Sequence, residues 1–99
     1  MAMQARISTI EGDASKIDAA VEIINDKVLP TLKDLEGFTA ANFMVDRSAG
    51  KLVVVAFYQD EAALERSAEA VEPLRTEVSA AMDGEVTGLE SYELVAQSW

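Results

Sequence analysis

The residue types that most often carry chemistry are scarce in this chain of 99 residues, which contains neither histidine nor cysteine. Imidazole bases, thiolate nucleophiles and soft metal ligands are therefore absent. Ser67 and Ser79 have no base to activate their hydroxyl groups. The polar side chains that remain to be considered on the predicted strands are Arg6, Asn42 and Tyr58.

Acidic residues recur near helical spacing early in the chain, at Asp13, Asp18, Glu22 and Asp26. Acids at that spacing repel one another mildly, and such a row is usually the solvated face of a helix. The segments EGDAS and MDGEVTG lack the spacing of a phosphate loop or a calcium loop. We therefore expect no metal site and no cofactor.

Arg6, Asn42 and Tyr58 each have a structural and a functional interpretation. Tyr58 by default caps the core at a strand end with its hydroxyl in water, and the alternative is a catalytic phenol. Arg6 in a central strand is costly unless it is paired, so Glu90 or Glu93 is an expected partner. If Arg6 faces a pocket instead, its planar fork would orient a carboxylate or an enolate. Asn42 would hold a substrate oxygen or simply face solvent.

Hydrophobic periodicity predicts the element order βαββαβ. Strands are predicted in MQARISTI, FTAANFMVD, KLVVVAFY and VTGLESYELVA, and RSAG joins the middle two as a hairpin in which Gly50 takes a positive φ. The first helix has its apolar stripe at Ile17, Val21, Ile24, Val28 and Leu32, and the second at Leu64, Ala68, Val71, Leu74 and Val78.

The ends of these helices are marked by capping residues and prolines. Asp13 or Ser15 is placed to cap the first helix, and Asp60 to cap the second. Pro30 and Pro73 remove a backbone donor and crowd the preceding turn, so we expect each to interrupt its helix.

This element order predicts an α+β fold of the ferredoxin-like type, in which both helices cover one face of a four-stranded antiparallel sheet. We expect a single domain that spans residues 3–99. The strand Leu52–Tyr58 is apolar on both faces, and two helices cover only one. We therefore expect a homodimer through the sheet faces that buries about 800 Å² per subunit. The apolar residues expected on the uncovered face include Val53, Val55, Phe57, Met44 and Phe38.

Composition limits the partners. Eighteen acidic against eight basic residues give a net charge of −10, which repels nucleic acid and anionic membranes. The start MAMQARIST has no apolar signal region, and the longest apolar run is far short of the roughly 20 residues of a spanning helix. We expect a cytoplasmic protein with no nucleic-acid or membrane partner.

The segment GFTAANFMVDRSAGKLVVVAFYQDEAALERS resembles the centre of the dimeric α/β-barrel superfamily in its antibiotic biosynthesis monooxygenase-like branch. In that branch a glycine follows the first helix, a hairpin links two strands, and the third strand ends aromatic-x-Asp-x-x-Ala-Leu. The matching positions here are Gly37, Gly50, Tyr58, Asp60, Ala63 and Leu64. The resemblance implies a dimer in which a small hydrophobic or aromatic ligand lies between the sheet and the helices of each subunit.

The resemblance also implies an activity. Quinone-forming oxygenases of this superfamily use Asn, Trp and Arg on a phenolic substrate without metal or flavin, and Asn42, Tyr58 and Arg6 are comparable residue types. This favours a cofactor-independent monooxygenase acting on a small aromatic or quinone-type substrate. Haem-degrading relatives carry Trp where Tyr58 stands and a haem-ligating His near Ser67, so haem binding is not expected. We expect Ser67 and Tyr92 to contact a ligand.

The alternative is a non-catalytic small-ligand-binding or structural dimeric module. Tyr92 and Trp99 fit it, because large amphipathic rings more often seal an interface than react. Burial of Arg6 and Tyr58 on a common cavity would favour catalysis, and a wholly aliphatic cavity would favour passive binding.

Overall fold

Four strands form one antiparallel sheet in the order β2-β3-β1-β4 in the computed structural model, which describes residues 2–98. The strands are β1 (Gln4–Glu11), β2 (Phe38–Asp46), β3 (Lys51–Tyr58) and β4 (Glu85–Glu93). The predicted ferredoxin-like βαββαβ fold is confirmed, and β2 and β3 have the predicted bounds. Trp99 lies outside the described residues.

The first helical segment consists of α1 (Ile17–Ile23), a π turn (Ile24–Val28) and α2 (Leu29–Lys33). Asp13 caps the 3₁₀ turn that precedes α1, because its carboxylate accepts from the Ser15 backbone N–H at 2.8 Å. The division expected at Pro30 takes the form of the π turn, which lies just before the proline. Pro30 has no backbone N–H, so it could not donate the usual helical hydrogen bond to the carbonyl four residues before it. A local change from α to π hydrogen bonding therefore costs few bonds at this point.

Helix α3 (Glu61–Ala81) returns the chain to the sheet after β3. Asp60 caps it as predicted, accepting from the Ala63 backbone N–H at 2.8 Å. The interruption expected at Pro73 is wrong, since α3 runs through this residue. A proline inside a helix costs about 3 kcal/mol, and here buried residues before and after it, Leu64 and Val78, hold both halves of α3 in the core. Within residues 2–98, no helix is long and apolar enough to cross a membrane.

The β2–β3 hairpin is tied to the loop that follows β1. Gly50 has φ of 66°, as predicted for this turn. Its carbonyl accepts from the Gly12 N–H at 2.8 Å, and a Cβ added to Gly50 would lie 2.2 Å from the Gly12 carbonyl oxygen. Any side chain at Gly50 would therefore push the hairpin away from this loop.

The sheet has two faces of different character. We call the face against the helices the covered face, and its central residues are Arg6, Ser8, Ile10, Leu52, Val54, Ala56 and Tyr58. We call the opposite side the open face, and it carries Ile7, Thr9, Val53, Val55 and Phe57, with Met44 half exposed beside them.

Phe38 does not belong to the open face, so that expectation is wrong. It pairs in register with Tyr58 on the covered side, where the two rings meet edge to face with centroids 5.9 Å apart. The irregular register after Phe38 explains the error, because it shifts the alternation of side chains at the start of β2.

The core between the sheet and the helices is apolar at the end nearest the Gly12–Gly50 contact. Ile10, Ile17, Leu52 and Met82 are at most 2% exposed there. Toward the other end of β1 and β3 the covered face becomes polar, and this is where the candidate site lies.

Candidate functional site

A cavity of about 40 Å³ lies between the covered face and the helices. At roughly 10–15 Å³ per water molecule, it has room for about three waters. Most of its walls are aliphatic and come from β1, β3, the π turn and α3. The polar groups that reach it belong to Arg6, Ser8, Tyr58 and Arg75.

Arg6 is only 8% exposed and is held entirely by uncharged groups. Its Nη1 donates to the Ser67 hydroxyl at 2.8 Å, and its Nη2 donates to the Leu64 carbonyl at 2.9 Å. Its guanidinium carbon lies 5.6 Å from the centre of the Tyr58 ring, within range of a cation–π interaction. These contacts fix the orientation of the guanidinium without an ion pair among the described residues.

Tyr58 is fully buried, and its hydroxyl has no hydrogen-bond partner among the described residues. The expectation that this hydroxyl reaches the outer solvent is therefore wrong, because the residue is fully buried. Tyr58 stands at the end of β3 on the covered face, and α3 begins three residues later and covers its ring with Ala63 and Leu64. A buried hydroxyl without a partner costs about 1–3 kcal/mol, so a water or a ligand group that forms a hydrogen bond with it in the cavity would be stabilising.

Arg75 reaches the same cavity from α3. Its Nε donates to the Ser8 hydroxyl at 3.2 Å. Burial lowers the pKa of this guanidinium, the positive charge of Arg6 lowers it further, and Glu72 opposes both effects. The lowered pKa reflects partial burial of Arg75 and its proximity to the Arg6 cation.

Among residues 2–98, no carboxylate lines the cavity. Neither Arg6 nor Arg75 forms an ion pair with a residue in the range 2–98, where the ion pairs are all between exposed groups: Lys16–Asp83, Lys27–Glu77 and Arg47–Asp18. Although the chain has a net charge of −10, the cavity is locally positive.

The expected pairing of Arg6 with Glu90 or Glu93 is also wrong. Glu90 is opposite Ile7 in the register, so its side chain lies on the open face. Glu93 is opposite Gln4 and is exposed at the end of β4. Arg6 is therefore separated from Glu90 because the two side chains lie on opposite faces of the sheet. It is separated from Glu93 because that residue lies further along the sheet, at the end of β4.

The candidate residues chosen from the sequence divide into two groups. Arg6, Tyr58 and Ser67 come together in the structure, with Ser67 buried behind the Arg6 guanidinium and donating to the Leu64 carbonyl. Asn42 is exposed and is opposite Val55, on the open face.

Tyr92 is about half exposed, and its hydroxyl donates to the Glu90 carboxylate, which raises the pKa of the phenol. Tyr92 and Arg6 both border an open cleft between α3 and β4, with a volume of about 500 Å³. The other polar residues on this cleft include three glutamates, Glu61, Glu65 and Glu93. The cleft is therefore acidic and open, in contrast to the cavity.

Two residues of the cavity, Ser8 and Arg75, were not among the sequence candidates. A signal for each was present in the periodicity. Ser8 alternates with Arg6 and Ile10, which places it on the same face of β1. Arg75 follows Val71 by four residues on a stripe otherwise made of apolar side chains, so a helix turns it toward the sheet.

Sequence comparison identifies relatives that are themselves uncharacterized. No protein-family model matches the chain. The uncharacterized protein Rv2557 of Mycobacterium tuberculosis is 29% identical over 92 residues, which cover 93% of this chain and 41% of the relative. The chain thus spans about two fifths of the length of this relative.

Solved structures define the fold more fully. NE2512 from Nitrosomonas europaea, a protein of unknown function, superposes with a TM-score of 0.78 at 18% identity, covering 100% of this chain and 95% of that one. SnoaB, a cofactor-independent oxygenase from Streptomyces nogalater, has a TM-score of 0.64 at 12% identity and coverage of 100% and 97%.

A monooxygenase from the gene ActVA-Orf6 of Streptomyces coelicolor, solved with the ligand nanaomycin D, has a TM-score of 0.63 at 18% identity, and covers 99% of this chain and 89% of that one. The chain therefore shares the ferredoxin-like fold of these solved structures, as its element order predicted.

Proposed function

We propose that this chain is a cofactor-independent monooxygenase that acts on a small aromatic or quinone-type substrate in the cavity between the sheet and the helices. The observation that carries the proposal is the burial of Arg6 and Tyr58 on one cavity, together with Arg75 and without a carboxylate. The fold supports it, because SnoaB and the ActVA-Orf6 protein are oxygenases with this architecture.

The residues of the cavity suit the anionic form of such a substrate. A phenol or enol that loses its proton beside Arg6 and Arg75 becomes an anion that two guanidinium groups stabilise in a poorly solvated space. The Tyr58 hydroxyl can donate a further hydrogen bond to the same oxygen. The electron-rich anion is the form that reacts with oxygen.

The oxidation balances without an added reductant. When a ring methylene becomes a carbonyl, the carbon takes one atom of O₂, and its two hydrogens leave with the second atom as water. The substrate supplies all four electrons. No carboxylate from the described part of the chain lines the cavity and the chain has no histidine, so in this proposal the substrate proton passes to water rather than to a general base.

We also propose that two copies associate through their open faces. Ile7, Val53, Val55 and Phe57 are only partly buried in one chain, and Met44 is 50% exposed. A contiguous apolar surface of this kind is typical of an interface, and about 800 Å² per subunit is an ordinary size for one.

Oxygen consumption tests the proposed reaction. The purified chain is incubated with a panel of hydroquinones and anthrones in an oxygen electrode, and products are checked for the added oxygen atom. We expect catalysed uptake that falls about tenfold to a hundredfold in Arg75→Gln, as expected for loss of one group that stabilises the reacting anion. Arg66→Gln is the matched control, because Arg66 is exposed on the same helix. Uptake equal to the uncatalysed rate across the panel would refute the proposed oxygenase.

A second candidate is a binding module without catalysis. The observation that favours it is the missing proton acceptor in the cavity. Ligand binding that depends on Arg75 without oxygen uptake would support this candidate over the oxygenase.

A further inference from the structure

The feature that goes furthest beyond the fold is the pair of positive charges in the cavity. Arg6 and Arg75 enter it from different elements, β1 and α3, and their fixed hydrogen bonds go to neutral acceptors. Two like charges in a partly buried space repel one another, and a negative charge between them would be favourable. Among residues 2–98 no carboxylate lines the cavity. The exposed Glu72 acts on Arg75 from outside it, and the glutamates near Arg6 line the separate acidic cleft.

Donor groups remain available for such a partner. A guanidinium has five N–H donors, and in Arg75 only the Nε–H is used by an acceptor among the described residues, the Ser8 hydroxyl. The Tyr58 hydroxyl also lacks a partner there. Both groups line the same cavity, and the Arg6 guanidinium lies over the Tyr58 ring.

We propose that this end of the cavity binds the carboxylate of a small aromatic acid, with Arg75 and the Tyr58 hydroxyl donating to its oxygens and Arg6 supplying the second positive charge. A carboxylate suits these donors because it has two oxygens in one plane and accepts about four hydrogen bonds. This inference rests on the proposed function in one respect, since it names the class of ligand for the same cavity.

The dimensions and walls of the cavity fit this division of the ligand. Its volume of about 40 Å³ accommodates the charged end alone. The aromatic part would lie among the aliphatic side chains that continue the wall, including Val54, Val71 and Leu74. Since Val71 and Leu74 are only partly buried on α3, a small outward shift of this helix would make room for a ring.

Calorimetric titration of the full chain with benzoate and with benzamide tests the proposal. The two ligands have nearly the same shape, but only benzoate is charged at pH 7. We expect saturable binding of one benzoate per chain, at least tenfold tighter than benzamide. Benzamide binding as tightly as benzoate, or no saturable benzoate binding at all, would overturn the proposal.

Variants locate the binding. Arg75→Gln should weaken benzoate at least tenfold, Tyr58→Phe should weaken it threefold to tenfold, and Arg66→Gln should leave it within twofold. Arg75→Gln and Tyr58→Phe are chosen instead of an Arg6 variant, because loss of the deeply buried Arg6 would disturb folding. Thermal melting of each variant checks that it is folded. Equal weakening by Arg66→Gln and Arg75→Gln would show a general charge effect and refute the site.

The titration separates this inference from the proposed reaction. Benzoate binding that requires Arg75, without oxygen uptake on any substrate, supports the carboxylate site and refutes the oxygenase. Incorporation of an oxygen atom into neutral anthrones by a chain that does not discriminate benzoate from benzamide supports the oxygenase and refutes the carboxylate site.

Discussion

The covered and open faces of the sheet depart in opposite ways from the rule that apolar residues lie inside and charged residues outside. The covered face buries a guanidinium, Arg6, and a phenol without a partner, Tyr58. The open face leaves Val53, Val55 and Phe57 partly exposed. Buried polar groups and exposed apolar patches are the informative departures from ordinary burial, and here the strand β3 carries one on each side.

On the functions proposed above, the difference between the faces matches two different roles. Covering an exposed apolar surface with another apolar surface lowers the free energy, and this effect depends little on which apolar residues are present. A buried charge is stabilised only when a group of opposite charge binds in the correct position. The open face therefore suits association between copies, and the covered face suits recognition of a particular small molecule.

The largest effect should come from placing a charge on the open face. Val55→Asp would bury an unpaired carboxylate in the proposed interface, at a cost of about 3–5 kcal/mol. Since 1.4 kcal/mol corresponds to a factor of ten, we expect the dimer to weaken by at least a hundredfold. Sedimentation velocity at micromolar concentration measures the change.

Val95→Asp is the matched control for this substitution. Val95 is 86% exposed and lies beyond the end of β4, so the same new charge there should leave association unchanged. A Val55→Asp variant that sediments as a dimer with unchanged affinity would show that the open face does not form the interface.

A smaller effect of opposite sign is expected on the covered face. Tyr58→Phe keeps the ring against Arg6 and Phe38 and removes the hydroxyl that has no partner. Without ligand, this should raise the free energy of unfolding by about 1 kcal/mol, because the buried polar group is lost without leaving another one unpaired. Urea denaturation at fixed protein concentration measures it.

Tyr92→Phe provides the comparison for the phenol. The Tyr92 hydroxyl is exposed and donates to Glu90, so its removal should change stability little. Destabilisation by Tyr58→Phe would instead mean that the buried hydroxyl already makes a favourable interaction, and the argument for a site open to a ligand would fail.

The sequence predicted the fold well because its signals are local. The bounds of β2 and β3 follow from two dense runs of β-branched and aromatic residues and from Gly50 between them. The caps at Asp13 and Asp60 follow from short-range hydrogen bonding to backbone N–H groups. Pro73 was misjudged because the packing that holds α3 together on both sides of it is tertiary.

The site could be predicted only in part because it depends on depth and on contacts between distant elements. Both faces of the neighbouring strand are apolar, so alternation along β1 does not predict which face the helices cover. The choice of face determines which residues surround Arg6. The Arg6–Ser67 contact joins residues 61 positions apart. Burial of the Tyr58 hydroxyl likewise depends on α3, which local sequence around the strand does not place.

The central claim is that the positive groups of the covered face bind one anionic ligand, and NMR of the arginine side chains tests it most directly. The Nε–H signals of Arg6, Arg75 and Arg66 would be followed during a titration with benzoate. The account predicts that the Arg6 and Arg75 signals shift along one saturable binding curve while the Arg66 signal stays in place. Unchanged Arg6 and Arg75 signals, with shifts confined to residues of the open face, would contradict it.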